Sequence, residues 1–276
     1  MASGLYVVAT PIGNLGDITA RALEVLRGAD VIAAEDTRVT RGLLTHFGIS
    51  AKVIAVHAHN EARAAQGIVD LLAAGQAVAL VTDAGTPGIS DPGAAVVRCV
   101  REAGHPVIPI PGASALTAAL SASGLDFEGV VFAGFLPARG KERRERLARL
   151  ASAPWAIVLF ESPHRILETL ADLHAALGNR PVVIAREITK RFESIEARAL
   201  EGAAEWVAAN PDRARGEFVL AIEGREPEAS EADHSQAILK VLLEDLPLKQ
   251  AVALAARISG GKRNELYALA LKMRDK

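Results

Sequence analysis

The sequence has one cysteine in 276 residues, Cys99, so no intrachain disulfide can form and no multi-cysteine zinc or iron–sulfur site can be built. Within the apolar helical pattern of 94–100 that thiol reads as a small buried hydrophobe rather than a reactive group. Aromatic residues make up only 4% of the chain, too few for an extended surface of stacked bases. Neither sign of charge dominates. The 31 Lys and Arg against 33 Asp and Glu leave a formal charge of −2, which excludes a generally basic nucleic-acid coat and leaves local patches open. No apolar run reaches the roughly 20 residues of a membrane span. No basic segment precedes Arg21, as a signal peptide would require. The expectation is a cytoplasmic protein without a membrane partner. What is present is a core: 50% hydrophobic and 23% charged residues describe a globular chain, long enough for two domains.

Short β-rich runs alternate with helix-period stretches from the start. Leu5–Ala9, Val31–Ala34, Val53–Val56, Val78–Thr82 and Val107–Ile110 read as buried strands bounded by Gly, Pro or Asp. Between them, helices are expected near Thr19–Leu26, Arg38–Phe47, Ala62–Ala74 and Ala94–Ala103, and one more follows Ser114. This alternation predicts an α/β domain with a mainly parallel sheet, because parallel strands need crossover helices. A second α/β stretch follows, with strands at Val130–Ala133, Ala156–Phe160, Val182–Ala185 and Phe218–Ile222 and helices near Arg143–Leu150, Ile166–Leu177 and Ala203–Ala208. Gly224–Glu231 lacks hydrophobic period and reads as a linker. Ser235–Leu243, Lys249–Ile258 and Arg263–Lys272 then form three short helices, with Gly260-Gly261 as a stop. The expected domains are residues 1–122, 123–225 and a helical module at 232–276.

In a parallel sheet, ligands bind outside the carboxyl ends of the strands, so the loops there carry the chemistry. The first, Thr10-Pro-Ile-Gly-Asn-Leu-Gly-Asp17, matches neither G-x-G-x-x-G nor G-x-x-x-x-G-K-[ST], and a plain turn capped by Asp17 explains it as well as a binding loop does. Glu35-Asp-Thr-Arg38 is open to two readings: a helix cap through Asp36 or Thr37, or two carboxylates at a strand mouth that bind a cation or hydroxyls. The loop Thr82-Asp-Ala-Gly-Thr-Pro-Gly-Ile-Ser-Asp-Pro-Gly93 is far stiffer than a strand–helix connection needs. Pro111-Gly-Ala-Ser114 opens a helix whose amides can hold an anion or an adenine edge. In the second half, Gly134-Phe-Leu-Pro137, Phe160-Glu-Ser-Pro-His-Arg165 and Arg186-Glu-Ile-Thr-Lys190 also follow strands. They gather Glu161, His164, Arg165, Arg186, Glu187 and Lys190 around one cleft if both sheets open the same way.

In order and spacing these seven motifs resemble the bacterial 16S ribosomal RNA (cytidine-2′-O-)-methyltransferases of the tetrapyrrole methylase superfamily, over about residues 4–223, and the helical tail also fits. The resemblance implies two α/β domains, a homodimer, and S-adenosyl-L-methionine in the cleft between the domains. It implies methyl transfer to the ribose 2′-hydroxyl of a cytidine in the decoding region of 16S rRNA. Carried over position by position, it implicates Pro11, Gly13, Asp83, Gly85, Thr86, Ser114, Ala115 and Phe160 in cofactor binding.

The chemistry agrees with that assignment. A sulfonium methyl donor needs no metal and no covalent nucleophile, only alignment of the attacking oxygen, and a weak 2′-hydroxyl nucleophile gains from a nearby base or cation. Glu35, Asp36, Glu161, His164, Arg165, Glu187 and Lys190 are the candidates for that work. Two segments supply the positive charge RNA needs: residues 139–149 hold six basic and two acidic residues, and 249–276 hold seven and two. The chain as a whole is near neutral, so its basic residues are clustered. With few aromatics, RNA is expected to be held by phosphate contacts and shape. Two other readings remain: a methyltransferase of the same superfamily acting on a small macrocycle, which has no use for the basic segments, and a non-catalytic RNA-binding assembly protein, which has no use for a deep rigid cleft.

Overall fold

A computed structural model describes residues 1–57, 60–225 and 231–274, apart from the side chains of residues 231–234, 237 and 274. Residues 226–230, most of the expected linker, lie outside the described residues. The chain forms two compact units, Met1–Gly224 and Arg225–Lys276.

The larger unit begins with five strands, β1 (Gly4–Val8), β2 (Val31–Ala34), β3 (Lys52–Ala55), β4 (Ala77–Val81) and β5 (Val107–Ile110), paired in parallel in the order β3-β2-β4-β1-β5. β2 and β4 are buried along their whole length, as expected of apolar runs covered on both faces. Helices α1 (Ala20–Gly28) and α2 (Thr37–His46) cover one face through Val25, Leu26 and Leu44. Helices α3 (Glu61–Ala73) and α4 (Ala94–Glu102) cover the other through Ile68, Leu72, Val96 and Val100. Cys99 packs beside this second core but stays partly exposed rather than buried, because it falls off the inward stripe of Val96 and Val100. Thr19 starts α1 by accepting the Ala22 N–H at 3.0 Å, and Asp36 starts α2 by accepting the Arg38 N–H at 2.8 Å.

Helix α5 (Ala115–Ser121) leaves this sheet and lies on the second one, burying Ala119 against Val158, Val183 and Val219. The second sheet holds β6 (Val130–Phe135), β7 (Ala156–Glu161), β8 (Pro181–Arg186), β9 (Ser194–Ala199) and β10 (Phe218–Ile222) in the order β6-β7-β10-β8-β9. Only β6 and β7 pair in parallel; β10 runs antiparallel to both β7 and β8, and β9 antiparallel to β8. Its far face carries α6 (Gly140–Leu150), α7 (Ile166–Leu177) and α8 (Ala203–Ala208) over a core that includes Leu147, Leu159, Leu170, Leu173 and Leu220. β9 was not expected from the sequence. Its six residues, Ser-Ile-Glu-Ala-Arg-Ala, alternate half-buried and exposed along a sheet edge, so it lacks the apolar run of a central strand.

The antiparallel insertion positions the site. β10 begins where β7 and β8 end, since Phe218 sits opposite both Glu161 and Arg186. The strand ends bearing Phe160-Glu161 and Arg186-Glu187 therefore share one edge with Glu217.

The smaller unit packs α9 (Glu231–Asp245), α10 (Leu248–Ser259) and α11 (Arg263–Arg274) around Leu239, Val252, Ala255, Leu266 and Ala270. Gly260 ends α10 in the left-handed region, φ +74°, as a helix-stopping glycine does. No helix among the described residues is long and apolar enough to cross a membrane.

Candidate active site

The loops after β1 and β4 are stitched together. The Thr10 N–H donates to the Gly85 carbonyl at 2.9 Å, the Gly85 N–H donates back at 3.0 Å, and the Thr10 hydroxyl donates to the Thr82 carbonyl at 3.0 Å. Gly85 takes φ +83°, a conformation that L side chains rarely adopt. The Thr86 hydroxyl donates to the Ala113 carbonyl at 3.2 Å, which ties this pair to the Pro111–Ser114 turn. There a Cβ on Gly112 would stand 2.9 Å from that of Ala9, so only glycine lets the turn close on β1. Pro11, Gly13, Asp83, Gly85, Thr86, Ser114 and Ala115 thus come together on one wall.

Two neighbouring cavities lie against that wall. One, of about 380 Å³, is largely apolar: Ile12, Ala84 and Ala115 face Phe160, Ile188 and Val219, with Ser90, Asp91, Glu161, Ser162 and Glu217 as its polar residues. Phe160 meets Phe132 and Phe135 edge to face, at ring-centroid distances of 4.9 and 5.8 Å. The other, of about 410 Å³, is lined by Pro11, Gly13, Thr82, Asp83, Lys190 and Glu217 among others. Ile12, Ala84 and Glu217 line both.

A set of carboxylates gives this wall a negative field. The Asp36 N–H donates to the Asp83 carboxylate at 3.0 Å, and the Asp83 N–H makes a long contact with that of Glu35 at 3.5 Å. Burial raises the Glu35 pKa; the Asp83 N–H works against this, and repulsion from Asp83 and Asp36 adds to it. Burial, then repulsion from Glu35 and Asp83, pushes Asp91 up to about 6. Asp36 behaves differently. Its hydrogen bonds from the Arg38 side chain and backbone pull it down to about 2, and it serves as the α2 cap.

Glu161, also singled out from the sequence, is 2% exposed and fully engaged. It accepts the Ser162 N–H at 2.7 Å, the Thr169 hydroxyl at 2.7 Å and the Arg165 guanidinium at 3.0 Å. Arg165 also donates to the Leu136 carbonyl at 2.7 Å, so this pair braces the turn between β7 and α7 against the end of β6. His164 is exposed and lines neither cavity.

Lys190 enters the second cavity on a strained turn. Glu187 and Thr189 take φ +52° and +70°, conformations that cost about 1–3 kcal/mol each unless the surroundings enforce them. The surroundings do: the Glu187 N–H donates to the Glu217 carbonyl at 3.0 Å, the Lys190 N–H to the Glu187 carbonyl at 2.9 Å, and the Thr189 N–H to the Glu193 carboxylate at 2.5 Å. The Lys190 ammonium bridges the carboxylates of Glu187 at 2.9 Å and Glu217 at 2.8 Å, and its stem lies so close over Gly13 that no Cβ fits there. Burial opposes both charges, but the hydrogen bonds win: Glu187 is held below its ordinary range and Lys190 above.

Sequence reasoning passed over Ile12, Asp91 and Glu217. The first two lie inside quoted motifs, where their types did not stand out. Glu217 follows Gly216 in no motif and reaches the site only because β10 is antiparallel. Of the basic segment 139–149, Arg143 is fully buried, ion-paired to Glu168 and, at 2.7 Å, to Asp172, so it is a brace between α6 and α7 and not a phosphate contact. Arg139, Lys141, Arg144, Arg146 and Arg149 remain exposed.

Residues 4–204 match the tetrapyrrole (corrin/porphyrin) methylases, and residues 228–274 match the RsmI C-terminal HTH domain. Among known proteins, the chain is 48% identical to the ribosomal RNA small subunit methyltransferase I of Vibrio cholerae serotype O1, over 97% of this chain and 94% of that protein. It is 46% identical to the protein of the same name from Pseudomonas aeruginosa, over 100% of this chain and 99% of that one. Among solved structures it is similar in fold to the methyltransferase CobJ, with a TM-score of 0.60 at 19% identity over 80% of this chain and 94% of that one. A uroporphyrin-III C-methyltransferase from Thermus thermophilus, complexed with S-adenosyl homocysteine, gives a TM-score of 0.55 at 20% identity, over 80% of this chain and 97% of that one.

Proposed function

Because this chain belongs to the tetrapyrrole (corrin/porphyrin) methylases, and within them to the ribosomal RNA small subunit methyltransferases I, we propose that it transfers a methyl group from S-adenosylmethionine to the ribose 2′-hydroxyl of a cytidine in the decoding region of 16S rRNA. The observation that carries the reading is the pair of adjoining cavities, one walled by Phe160, Ile12 and Val219, the other holding an anchored lysine, Lys190, beside Asp83.

The apolar cavity fits the cofactor. Its volume of about 380 Å³ falls within the roughly 300–1,000 Å³ of small-molecule sites. Phe160, Ile12 and Val219 offer apolar surface to an adenine ring and Asp91 an acceptor. Asp83, in the lining of the neighbouring cavity, and Glu35, in contact with the Asp83 N–H, add negative field for an ammonium and a sulfonium. Ala115 lines this cavity and Pro11 and Gly13 the neighbouring one, while Gly85, Thr86 and Ser114 line neither and shape the loops behind them. When bound, S-adenosylmethionine supplies an electrophilic methyl group on positively charged sulfur.

The residues around the second cavity then orient the acceptor. Lys190 stays an ammonium at neutral pH, so it holds a ribose or phosphate oxygen by charge and takes up no proton. Of the two carboxylates, Glu35, in contact with the N–H of the cavity-lining Asp83, is better matched to accept the hydroxyl proton than Glu187. Burial raises the first from its ordinary value, and the bond to Lys190 helps hold the second below. Glu161 and Arg165 act on position, and Asp36 on the α2 start. The working form is a cytoplasmic homodimer, in keeping with the family resemblance, with 16S rRNA or the small ribosomal subunit as partner. The match of residues 228–274 to a domain of the RNA enzymes favours this reading over a macrocycle methylase.

Titration calorimetry separates an enzyme from a simple RNA binder. S-adenosylmethionine should bind one to one, and Ala115→Trp, which fills the apolar cavity, should abolish that heat. No binding by the intact protein would refute the assignment.

A further inference from the structure

A third, smaller cavity of about 250 Å³ opens beside Lys190, lined by Arg186, Glu187, Phe192, Asp212, Arg215 and Gly216. It is built on a cross-brace: the Arg186 guanidinium donates to the carbonyls of Phe192 at 2.9 Å and Arg215 at 3.3 Å and to the Ser194 hydroxyl at 3.3 Å. The loop so fixed holds Phe192 63% exposed, the most exposed aromatic side chain among the described residues. The Arg191 guanidinium lies 5.6 Å from the centre of its ring. Arg215, 77% exposed, is engaged only by a surface pair to an equally exposed Asp212 at 3.0 Å, a contact weak enough to exchange for a phosphate.

Resting on the function proposed above, we infer that this cavity is a subsite for one nucleotide of the RNA next to the methyl acceptor, its base stacked on Phe192 and its phosphate met by Arg191 or Arg215. Two features argue for that occupant. The volume is below the roughly 300 Å³ at which whole small-molecule sites begin, which suits one unit of a longer chain. The subsite also shares Glu187 with the Lys190 turn, so a strand whose ribose reaches Lys190 has this cavity next to it. In an aromatic-poor chain, a single rigid exposed ring at this place is the economical way to hold a flanking base without reading its identity.

The test compares Phe192→Ala and Phe192→Trp with the wild type on small ribosomal subunits from cells lacking the gene, following KM and kcat for methylation, S-adenosylhomocysteine affinity and sedimentation mass. Phe192→Ala should raise KM about ten- to hundredfold, as expected for one lost stacked base. Its kcat at saturation, cofactor affinity and mass should stay unchanged, and Phe192→Trp should keep a near-wild-type KM. An unaltered KM in Phe192→Ala, a Trp variant as impaired as the Ala one, or a change in mass that assigns the ring to a subunit contact would each overturn the subsite. A wild-type protein that methylates no subunit would instead refute the function on which it rests.

Discussion

Replacing Lys190 by Met keeps the stem over Gly13 and removes only the charge. Glu187 then loses its partner at 2.9 Å while its side chain is 18% exposed, leaving it the Glu217 N–H at 2.9 Å as donor. A charge-assisted bond at such a site contributes about 1.5–3 kcal/mol. The bond to Glu217, whose side chain is 80% exposed, adds about 0–1 kcal/mol. A net loss of about 2 kcal/mol should lower the melting temperature by about 4–8 °C for a unit of this size. The pH dependence has a definite sign. Glu187 is depressed when folded, so its contribution is present above its ordinary value of 4.5 and lost as pH falls through the depressed one. Lys190 is raised, so its contribution is complete below 10.5 and lost only as pH rises beyond. The stability gap between wild type and variant should therefore be flat across neutral pH and close below about pH 4. For catalysis, loss of one positioned charge at the acceptor should cut kcat/KM by about 10²–10³, with S-adenosylmethionine affinity unchanged by calorimetry. Methylation within tenfold of wild type, or a parallel loss of cofactor affinity, would refute the placement of Lys190 at the acceptor.

Other outcomes follow from the same geometry. Glu161→Ala strands the half-buried Arg165 and should cost about 2–4 kcal/mol in urea unfolding, whereas His164→Ala, on an exposed residue, should move it by less than about 0.5 kcal/mol. Asp91, raised to about 6 from 3.8, favours its neutral form on folding, so its penalty grows as pH rises from 4 to 6. Discounted for solvent screening, Asp91→Asn should stabilise the protein by about 1–2 kcal/mol at pH 7.5 and by nothing at pH 3.5, measured by the same melts. Deleting residues 232–276 should leave cofactor binding intact, because the larger unit has its own cores, and weaken rRNA methylation; equal activity of the truncated protein on small subunits would contradict a docking role for the tail.

Much of the fold was legible because central strands are apolar on both faces. β2 and β5 match the expected bounds, and β1, β3 and β4 begin and end one residue earlier than expected. What escaped was β9, whose edge position calls for alternation with Glu and Arg, and the antiparallel direction of β10, since a five-residue apolar run carries no sign of its direction. The same gap explains the candidate site. Loops dense in Gly, Pro and Asp announced the wall around Thr10 and Gly85. Glu217 joined it only through strand pairing, and burial turned Arg143 from an apparent surface charge into a brace. Type and spacing show where chemistry is concentrated. Whether a carboxylate caps a helix, as Asp36 does, or faces a cavity, as Asp91 does, depends on neighbours brought from elsewhere in the chain.

The most direct test of the central claim is mass mapping of 16S rRNA in small subunits from a strain lacking the gene, before and after incubation with this protein and S-adenosylmethionine. The account predicts one added methyl group, on the ribose of a single decoding-region cytidine, and its much slower appearance with Lys190→Met. Unmodified rRNA, or a methyl group on a base instead of a ribose, would contradict it.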